Sequence, residues 1–80
     1  MEKRVRLDRH AKRRMKWRKI SEEEVRLTLT SPDKMENSTK GRINVYKTIG
    51  ERYIKVTCKE LPDEMLVISV VDKGKGGENS

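Results

Sequence analysis

The spacing of apolar residues changes from a helical to an alternating pattern in the middle of this chain of 80 residues, and that change limits the fold more than any other feature. Between Asp8 and Pro32 the apolar positions recur every three or four residues, as on one side of an α-helix. From Arg42 onward they alternate with polar residues, as in a strand with one buried face. Helices followed by strands predict an α+β domain in which two N-terminal helices pack on a three- to four-stranded antiparallel sheet.

The first helix is predicted to begin after Asp8, which is a favourable N-cap residue. Ala11 and Met15 are four residues apart and lie on one apolar stripe that faces the core. His10 and Arg14 have the same spacing and lie beside that stripe. Both side chains can therefore approach the same small anion.

A second helix is predicted to begin at Ser21. Ser21 and Glu24 have the spacing of a capping box, in which each side chain bonds the backbone N–H of the other residue. The helix ends before Pro32, because the residue that precedes a proline is disfavoured in helical conformation.

A β-hairpin is predicted around Gly50–Glu51, which suits a two-residue type II′ turn with glycine first. Such a turn fixes the register, so that Val45 faces Val56 on the core side and Tyr46 faces Lys55 on the other side. The remaining predicted pairs are Ile49 with Arg52, Ile43 with Cys58, Thr48 with Tyr53, Asn44 with Thr57, and Arg42 with Lys59.

The other segments are less sharply defined. Residues 1–7 alternate basic and apolar side chains and fit either a short edge strand or a basic arm, and a short strand is expected within residues 33–40. Residues 65–71 form a continuous apolar run that predicts a buried strand, with either Val67 or Ile68 facing the helices. One domain is predicted over residues 1–72, followed by a disordered polar tail over residues 73–80.

Positive charge is concentrated at the start of the chain, whose formal net charge is +7. Residues 1–20 hold ten Lys and Arg against Glu2 and Asp8, so this segment carries +8 and the rest of the chain −1. A concentrated basic segment is typical of nucleic-acid binders, since each neutralised phosphate releases counterions. The alternative is a solvated basic surface, or one that docks an acidic protein.

Two motifs in the basic segment resemble a known family. The pattern H-A-x-x-R-M begins at His10, and the pattern R-x-I-S-x-x-E-V begins at Arg18. Together they are similar to the start of a small prokaryotic family of unknown function that is grouped with RelE/BrnT-like toxins. A later Pro-Asp and an N-V-Y-K strand extend the resemblance over most of residues 7–71, and Lys19 stands where that family usually has glycine. The resemblance implies a RelE-like fold and metal-independent cleavage of RNA.

The residue types favour chemistry on a phosphodiester without a metal or another cofactor. One histidine and one cysteine do not make a structural zinc site, and nothing places Ser21 or Cys58 beside His10 as a nucleophile. Cleavage of RNA through its own 2′-hydroxyl needs an acid, a base and positive charge. The candidate catalytic residues are His10 as acid/base, Arg14 as phosphate stabiliser, and Tyr46 and Lys55 from the sheet.

Further residues are predicted to bind nucleic acid. They are Arg9, Arg13, Lys16, Trp17, Arg18 and Arg42. Each candidate also has a plainer interpretation: His10 could bond only backbone or solvent, Tyr46 could pack with a solvated hydroxyl, and Trp17 could cover the sheet edge instead of stacking on a base. Cys58 lies in an apolar alternation and is predicted to be a buried hydrophobic residue.

The sequence therefore predicts a toxin-type, metal-independent ribonuclease that acts on RNA. The alternatives are a non-catalytic RNA- or DNA-binding module and a protein-interaction domain that docks an acidic, antitoxin-like partner. No apolar run approaches the roughly 20 residues of a membrane span, and no segment resembles a signal peptide. A cytoplasmic protein without a membrane partner is predicted.

Overall fold

A computed structural model describes residues 4–74, which form a five-stranded sheet with two helices on one face. The strands lie in the order β1-β5-β4-β3-β2. In chain order the elements are β1 (Arg4–Leu7), α1 (Arg9–Arg18), α2 (Glu22–Thr30), β2 (Lys34–Asn37), a 3₁₀ turn (Thr39–Gly41), β3 (Arg42–Ile49), β4 (Arg52–Glu60) and β5 (Glu64–Asp72).

The prediction of a three- to four-stranded antiparallel, RelE-like sheet is wrong, because the sheet has five strands and is mixed. β1 pairs in parallel with β5, with Arg4 beside Glu64 and Leu7 beside Val67. Parallel neighbours need a long crossover connection, and here the chain passes through both helices and three strands before it returns to β1. A strand pairing over such a distance leaves no signal in the local sequence pattern.

The predicted β3–β4 hairpin is confirmed, including its register. Gly50 has φ +63°, as the first position of a type II′ turn requires, and Val45 pairs with Val56 and Tyr46 with Lys55. Val45 and Val56 are buried in the core that the helices cover. Alternation along the strands therefore puts Tyr46 and Lys55 on the opposite, helix-free face.

A bulge in β5 explains why its register was ambiguous in the sequence. Val67 and Val70 are both fully buried, although residues three apart in a regular strand face opposite sides. Cys58 pairs with Val67 and Thr57 with Ser69, so Ile68 is the extra residue at this point. Of the two residues left open by the sequence, Val67 faces the helices.

The two helices form where the sequence predicts them. α1 buries Ala11 and Met15 against the core, and α2 begins with the predicted capping box. The Ser21 hydroxyl accepts a bond of 3.1 Å from the Glu24 amide, and Glu24 Oε1 accepts one of 2.9 Å from the Ser21 amide. Asp8 lies at the N-cap of α1, but its side chain makes no capping bond. Neither helix could span a bilayer, and residues 4–74 contain no other α-helix.

The turn between the helices depends on Lys19, which has φ 57° and ψ 44°. Its amide donates to the Lys16 carbonyl at 3.4 Å, and the Ile20 amide donates to the Met15 carbonyl at 2.8 Å. This is the bonding pattern of a Schellman motif, which glycine normally closes. The turn thus forms without glycine, and the left-handed conformation of Lys19 costs about 1 kcal/mol.

The predicted tail falls mostly outside the described residues, which end at Gly74. The Lys73 amide donates to the Tyr53 carbonyl, and the Tyr53 amide donates to the Gly74 carbonyl, both at 2.8 Å. These bonds extend the pairing of β4 past the last residue of β5.

Candidate nucleic-acid interface

The exposed side of α1 carries six cationic side chains and no acidic one. Only Ala11 and Met15 of this helix are buried, so every other position faces solvent. A helix that offers the core only two apolar residues necessarily exposes the rest of its surface. We call the six side chains the basic helix face: Arg9, Lys12, Arg13, Arg14, Lys16 and Arg18.

None of these six side chains makes an ion pair within residues 4–74. Some cations outside α1 do form ion pairs, including Arg6 Nε with Glu64 Oε2 at 2.7 Å and Arg52 with Glu24 Oε1 at 3.3 Å. The basic helix face therefore presents charge that no carboxylate of residues 4–74 pairs with, which favours binding of an external anion.

The structure keeps His10 and Arg14 together but separates them from Tyr46 and Lys55. His10 and Arg14 are exposed and one helical turn apart on α1, which packs on the core face of the sheet. Tyr46 and Lys55 are paired across β3 and β4 on the other face. Since the sheet lies between the two pairs, the four predicted catalytic residues do not converge on one point.

The helix-free side of the sheet carries its own polar cluster, which we call the open sheet face. It comprises Lys34, Glu36, Arg42, Asn44, Tyr46, Thr48, Tyr53, Lys55, Thr57 and Lys59, as the strand register places them. Arg42, predicted to bind nucleic acid, is exposed here and is thus separated by the sheet from the other predicted binding residues.

Tyr46 is the centre of the open sheet face and is only 8% exposed. Its hydroxyl donates to Glu36 Oε2 at 2.7 Å, and its ring stacks on that of Tyr53 with centroids 5.6 Å apart. Lys34 Nζ lies 5.3 Å from the centroid of the Tyr46 ring. The hydrogen bond to Glu36, followed by burial, raises the pKa of Tyr46 to about 12. Tyr46 is therefore a fixed hydrogen-bond donor and a poor base at neutral pH.

The carboxylate that binds Tyr46 was not among the predicted site residues. The pKa of Glu36 is lowered, chiefly because it accepts the hydrogen bond from Tyr46. Desolvation opposes this shift, and the charge of nearby Lys34 adds to it. Glu36 lies on β2 and pairs with Asn44 on β3, and Asn44 pairs in turn with Thr57 on β4. The alternation K-M-E-N is the only sequence signal for this strand, and it does not reveal which strand β2 joins.

Trp17 is 77% exposed, which excludes one of its two predicted roles, that of covering the sheet edge. It lies in the last turn of α1 and does not cover the edge of the sheet. Its indole ring makes no ring contact with the described residues.

A cavity of about 340 Å³ extends the positive surface beyond α1. It lies between β1 and the two helices, above the apolar side chains of Val5, Leu7 and Val25. The charged side chains that line it are Arg4, Arg6, Lys12, Glu22, Arg26 and Glu64. Lys12 belongs both to this cavity and to the basic helix face, so the two positive regions are continuous.

Metal ligation and thiol chemistry find no support in the part of the chain that is described. Residues 4–74 contain no group of three or more His, Cys, Asp or Glu side chains that could hold a metal ion. Cys58 is buried, as predicted, and burial followed by the charge of Glu60 raises the pKa of its thiol to about 11. Cys58 is therefore uncharged and shielded at neutral pH.

Comparison with known proteins gives one family. A family model described as "Domain of unknown function (DUF4258)" matches residues 7–72. This match confirms the resemblance to a family of unknown function and covers almost all of the described residues. No curated protein and no solved structure matches the chain.

Proposed function

Since the chain belongs to the DUF4258 family, a domain of unknown function, we propose from the site itself that it is a nucleic-acid-binding protein whose partner is RNA. The basic helix face provides the contacts, with its lysines and arginines on the phosphates. The observation that carries this proposal is that no cation of α1 forms an ion pair with any other described residue.

Unpaired cations favour a polyanion for a physical reason. Six side chains of one sign on a helix about 15 Å long repel one another, and a row of phosphates relieves that repulsion. Binding also releases the counterions condensed on the nucleic acid. The cavity beside β1 adds Arg4 and Arg26, so a bound strand can continue from α1 onto the edge of the sheet.

A charge-reversal experiment tests the proposal. Binding of a labelled RNA is measured by fluorescence anisotropy over a range of salt concentrations. The double variant Arg13→Glu/Lys16→Glu should bind at least about tenfold more weakly. The slope of log K against log salt concentration should become shallower by the amount expected for the loss of about two phosphate contacts. Both side chains are exposed, so circular dichroism should show an unchanged fold.

The matched control is Lys40→Glu/Lys59→Glu, which changes the net charge equally at two exposed positions outside α1. Its loss of affinity should be much smaller than that of the α1 variant. Equal losses would show that overall charge, and not the basic helix face, governs binding. A wild-type protein that binds neither RNA nor DNA at low salt would refute the proposal and favour an acidic protein partner.

A second candidate function is metal-independent RNA cleavage of the RelE/BrnT-like toxin type, the grouping that the His10 and Arg18 motifs suggest. The observation that favours it is the pair His10 and Arg14, exposed one turn apart without partners among the described residues. An acid/base group and a bidentate phosphate ligand can there approach one phosphodiester. In this version of the site, Tyr46 and Lys55 take no part.

The cleavage test uses purified protein and a labelled RNA with and without a chelator. The candidate function predicts cleavage that survives chelation and leaves 2′,3′-cyclic or 3′-phosphate ends, because the 2′-hydroxyl is the attacking group. An RNA with 2′-O-methyl groups at the cut site should resist. Products with 5′-phosphates, or a requirement for magnesium, would exclude the mechanism and leave binding alone.

A further inference from the structure

Trp17 is the most exposed of the large hydrophobic side chains among residues 4–74, at 77% against 58% for Met35 and 43% for Leu27. It is also the only tryptophan of the chain. A large aromatic ring left in water is a candidate contact surface, because covering it removes much apolar area from solvent. No neighbouring ring or cation covers either of its faces within the described residues.

The surroundings of Trp17 on α1 are cationic. Side chains three and four positions earlier on a helix are its nearest neighbours, and here these are Arg14 and Arg13. Helical side chains lean toward the N-terminus, so the indole extends over the turn that carries both arginines. The ring is therefore a flat apolar surface beside two guanidinium groups that form no ion pair within residues 4–74.

We propose that Trp17 stacks on an unpaired base, so that the protein prefers single-stranded or looped RNA over duplex. This inference rests on the proposed function and specifies its substrate class. Phosphate contacts from Arg13 and Arg14 do not distinguish the two forms, whereas the flat faces of bases are covered in a duplex and free in a single strand. Stacking on an aromatic side chain strengthens binding by about 5- to 100-fold per base.

An anionic membrane surface is the competing partner for a tryptophan among basic residues. A helix that lies in a membrane interface needs an apolar face of several side chains. The apolar stripe of α1, formed by Ala11 and Met15, is buried against the sheet, and Trp17 is the only large apolar side chain that α1 exposes. One ring suffices for stacking on a base but does not provide an apolar face.

The test uses tryptophan emission, which reports on Trp17 alone. The full chain is titrated with a short oligouridylate and with a duplex RNA of the same length at the same ionic strength. The single strand should quench the emission and bind more tightly than the duplex. Trp17→Leu should weaken binding of the single strand by about 5- to 100-fold in anisotropy measurements, and Trp17→Phe should lose less.

Two controls separate the inference from the proposed function. Trp17→Leu should leave duplex binding and the salt dependence unchanged, because the phosphate contacts are intact. Leu27→Ala removes an exposed hydrophobic side chain from α2 and should change neither the affinity for single-stranded RNA nor the affinity for duplex RNA.

Each other outcome has a defined meaning. Salt-dependent binding that is equal for single strand and duplex, and unaffected by Trp17→Leu, would overturn the inference while the proposed function stands. A loss of all binding in Arg13→Glu/Lys16→Glu without quenching in the wild type would have the same meaning. An emission shift with vesicles of phosphatidylserine and phosphatidylcholine, but none with RNA, would overturn the inference in favour of a membrane surface.

Discussion

The basic helix face and the open sheet face both contain several cations, but among the described residues only the open sheet face also includes a carboxylate, that of Glu36. On the open sheet face, Lys34 Nζ lies 3.9 Å from Glu36 Oε1 and also lies over the Tyr46 ring. Polar side chains there bond one another, as in the 2.8 Å bond from the Thr57 hydroxyl to Asn44. The two surfaces therefore differ in the carboxylate that lies among their cations and not in the presence of lysines and arginines, and the basic helix face is the one that we propose binds an external anion.

The two faces differ because a helix and a sheet group residues differently. The basic helix face comes from one continuous segment, in which an acidic residue is absent between Arg9 and Arg18. The open sheet face combines residues from three strands, so the carboxylate of Glu36 on β2 meets Tyr46 on β3. Folding thus brings a carboxylate among the cations of the open sheet face, whereas no acidic side chain of residues 4–74 pairs with a cation of the basic helix face.

The largest expected effect comes from breaking the sheet that separates the two faces. Val56→Asp puts an unpaired charge at a fully buried position and should abolish folding. Thr57→Asp, one residue later, lies on the open sheet face and removes only the bond to Asn44. Circular dichroism and thermal melting should therefore show an unfolded Val56→Asp and a folded Thr57→Asp. Equal stability of the two variants would contradict the assignment of faces.

The next effect concerns which face carries the chemistry, if the protein cleaves RNA. His10→Ala and Arg14→Ala should each slow cleavage by about 100-fold or more, while RNA still binds His10→Ala through the remaining cations. Tyr46→Phe should cleave at the wild-type rate, since Tyr46 lies across the sheet. Rates are measured in single-turnover assays with chelator present. Loss of cleavage in Tyr46→Phe, with His10→Ala active, would move the chemistry to the open sheet face.

A smaller effect is expected from the hydroxyl of Tyr46. Tyr46→Phe keeps the ring stacked on Tyr53 and removes only the hydrogen bond, which should lower the free energy of unfolding by about 1 kcal/mol. RNA affinity should not change, because the proposed contacts lie on α1. Urea denaturation and anisotropy on the same samples check both statements. A variant as stable as the wild type would mean that water replaces the lost bond without cost.

The smallest effect is a decrease in the free energy of unfolding at low pH, caused by carboxylates outside the basic helix face. Hydrogen bonding by Tyr46 lowers the pKa of Glu36 from its ordinary value of 4.5, and the Thr48 amide lowers that of Asp33 from 3.8. A lowered folded-state pKa contributes stability that is complete above the ordinary value and is lost as pH falls through the folded value. Unfolding in urea from neutral pH to about pH 3 should show this loss, and Glu36→Gln should retain only the part due to Asp33.

The sequence predicts the local features of this chain well because short-range rules determine them. Gly50 sets the turn and with it the register of β3 and β4, and Ser21 with Glu24 sets the start of α2. The sequence did not predict the bulge at Ile68 and showed only that the register of β5 was ambiguous. Either set of alternating residues in this apolar run would place a valine or isoleucine in the core.

The composite site is wrong because it combines residues from both sides of the sheet. Strand parity correctly puts Tyr46 and Lys55 on the same side, and helical spacing correctly pairs His10 with Arg14. The parity that buries Val45 and Val56 under the helices already places Tyr46 and Lys55 on the face that α1 does not cover. Glu36 was missed for a different reason, since its bond to Tyr46 requires the pairing of β2 with β3.

The parallel pairing of β1 with β5 has a consequence for the order of folding. The Asp8 amide donates to the Val67 carbonyl at 2.9 Å, so the start of α1 is attached to the last strand of the sheet. The β3–β4 hairpin closes over a two-residue turn and can form early, whereas the β1–β5 contact must close nearly the whole chain and forms late. Before that closure α1 already has all its charges, but its start is not yet attached to β5. We therefore expect the proposed binding surface to reach its final position only when this contact closes.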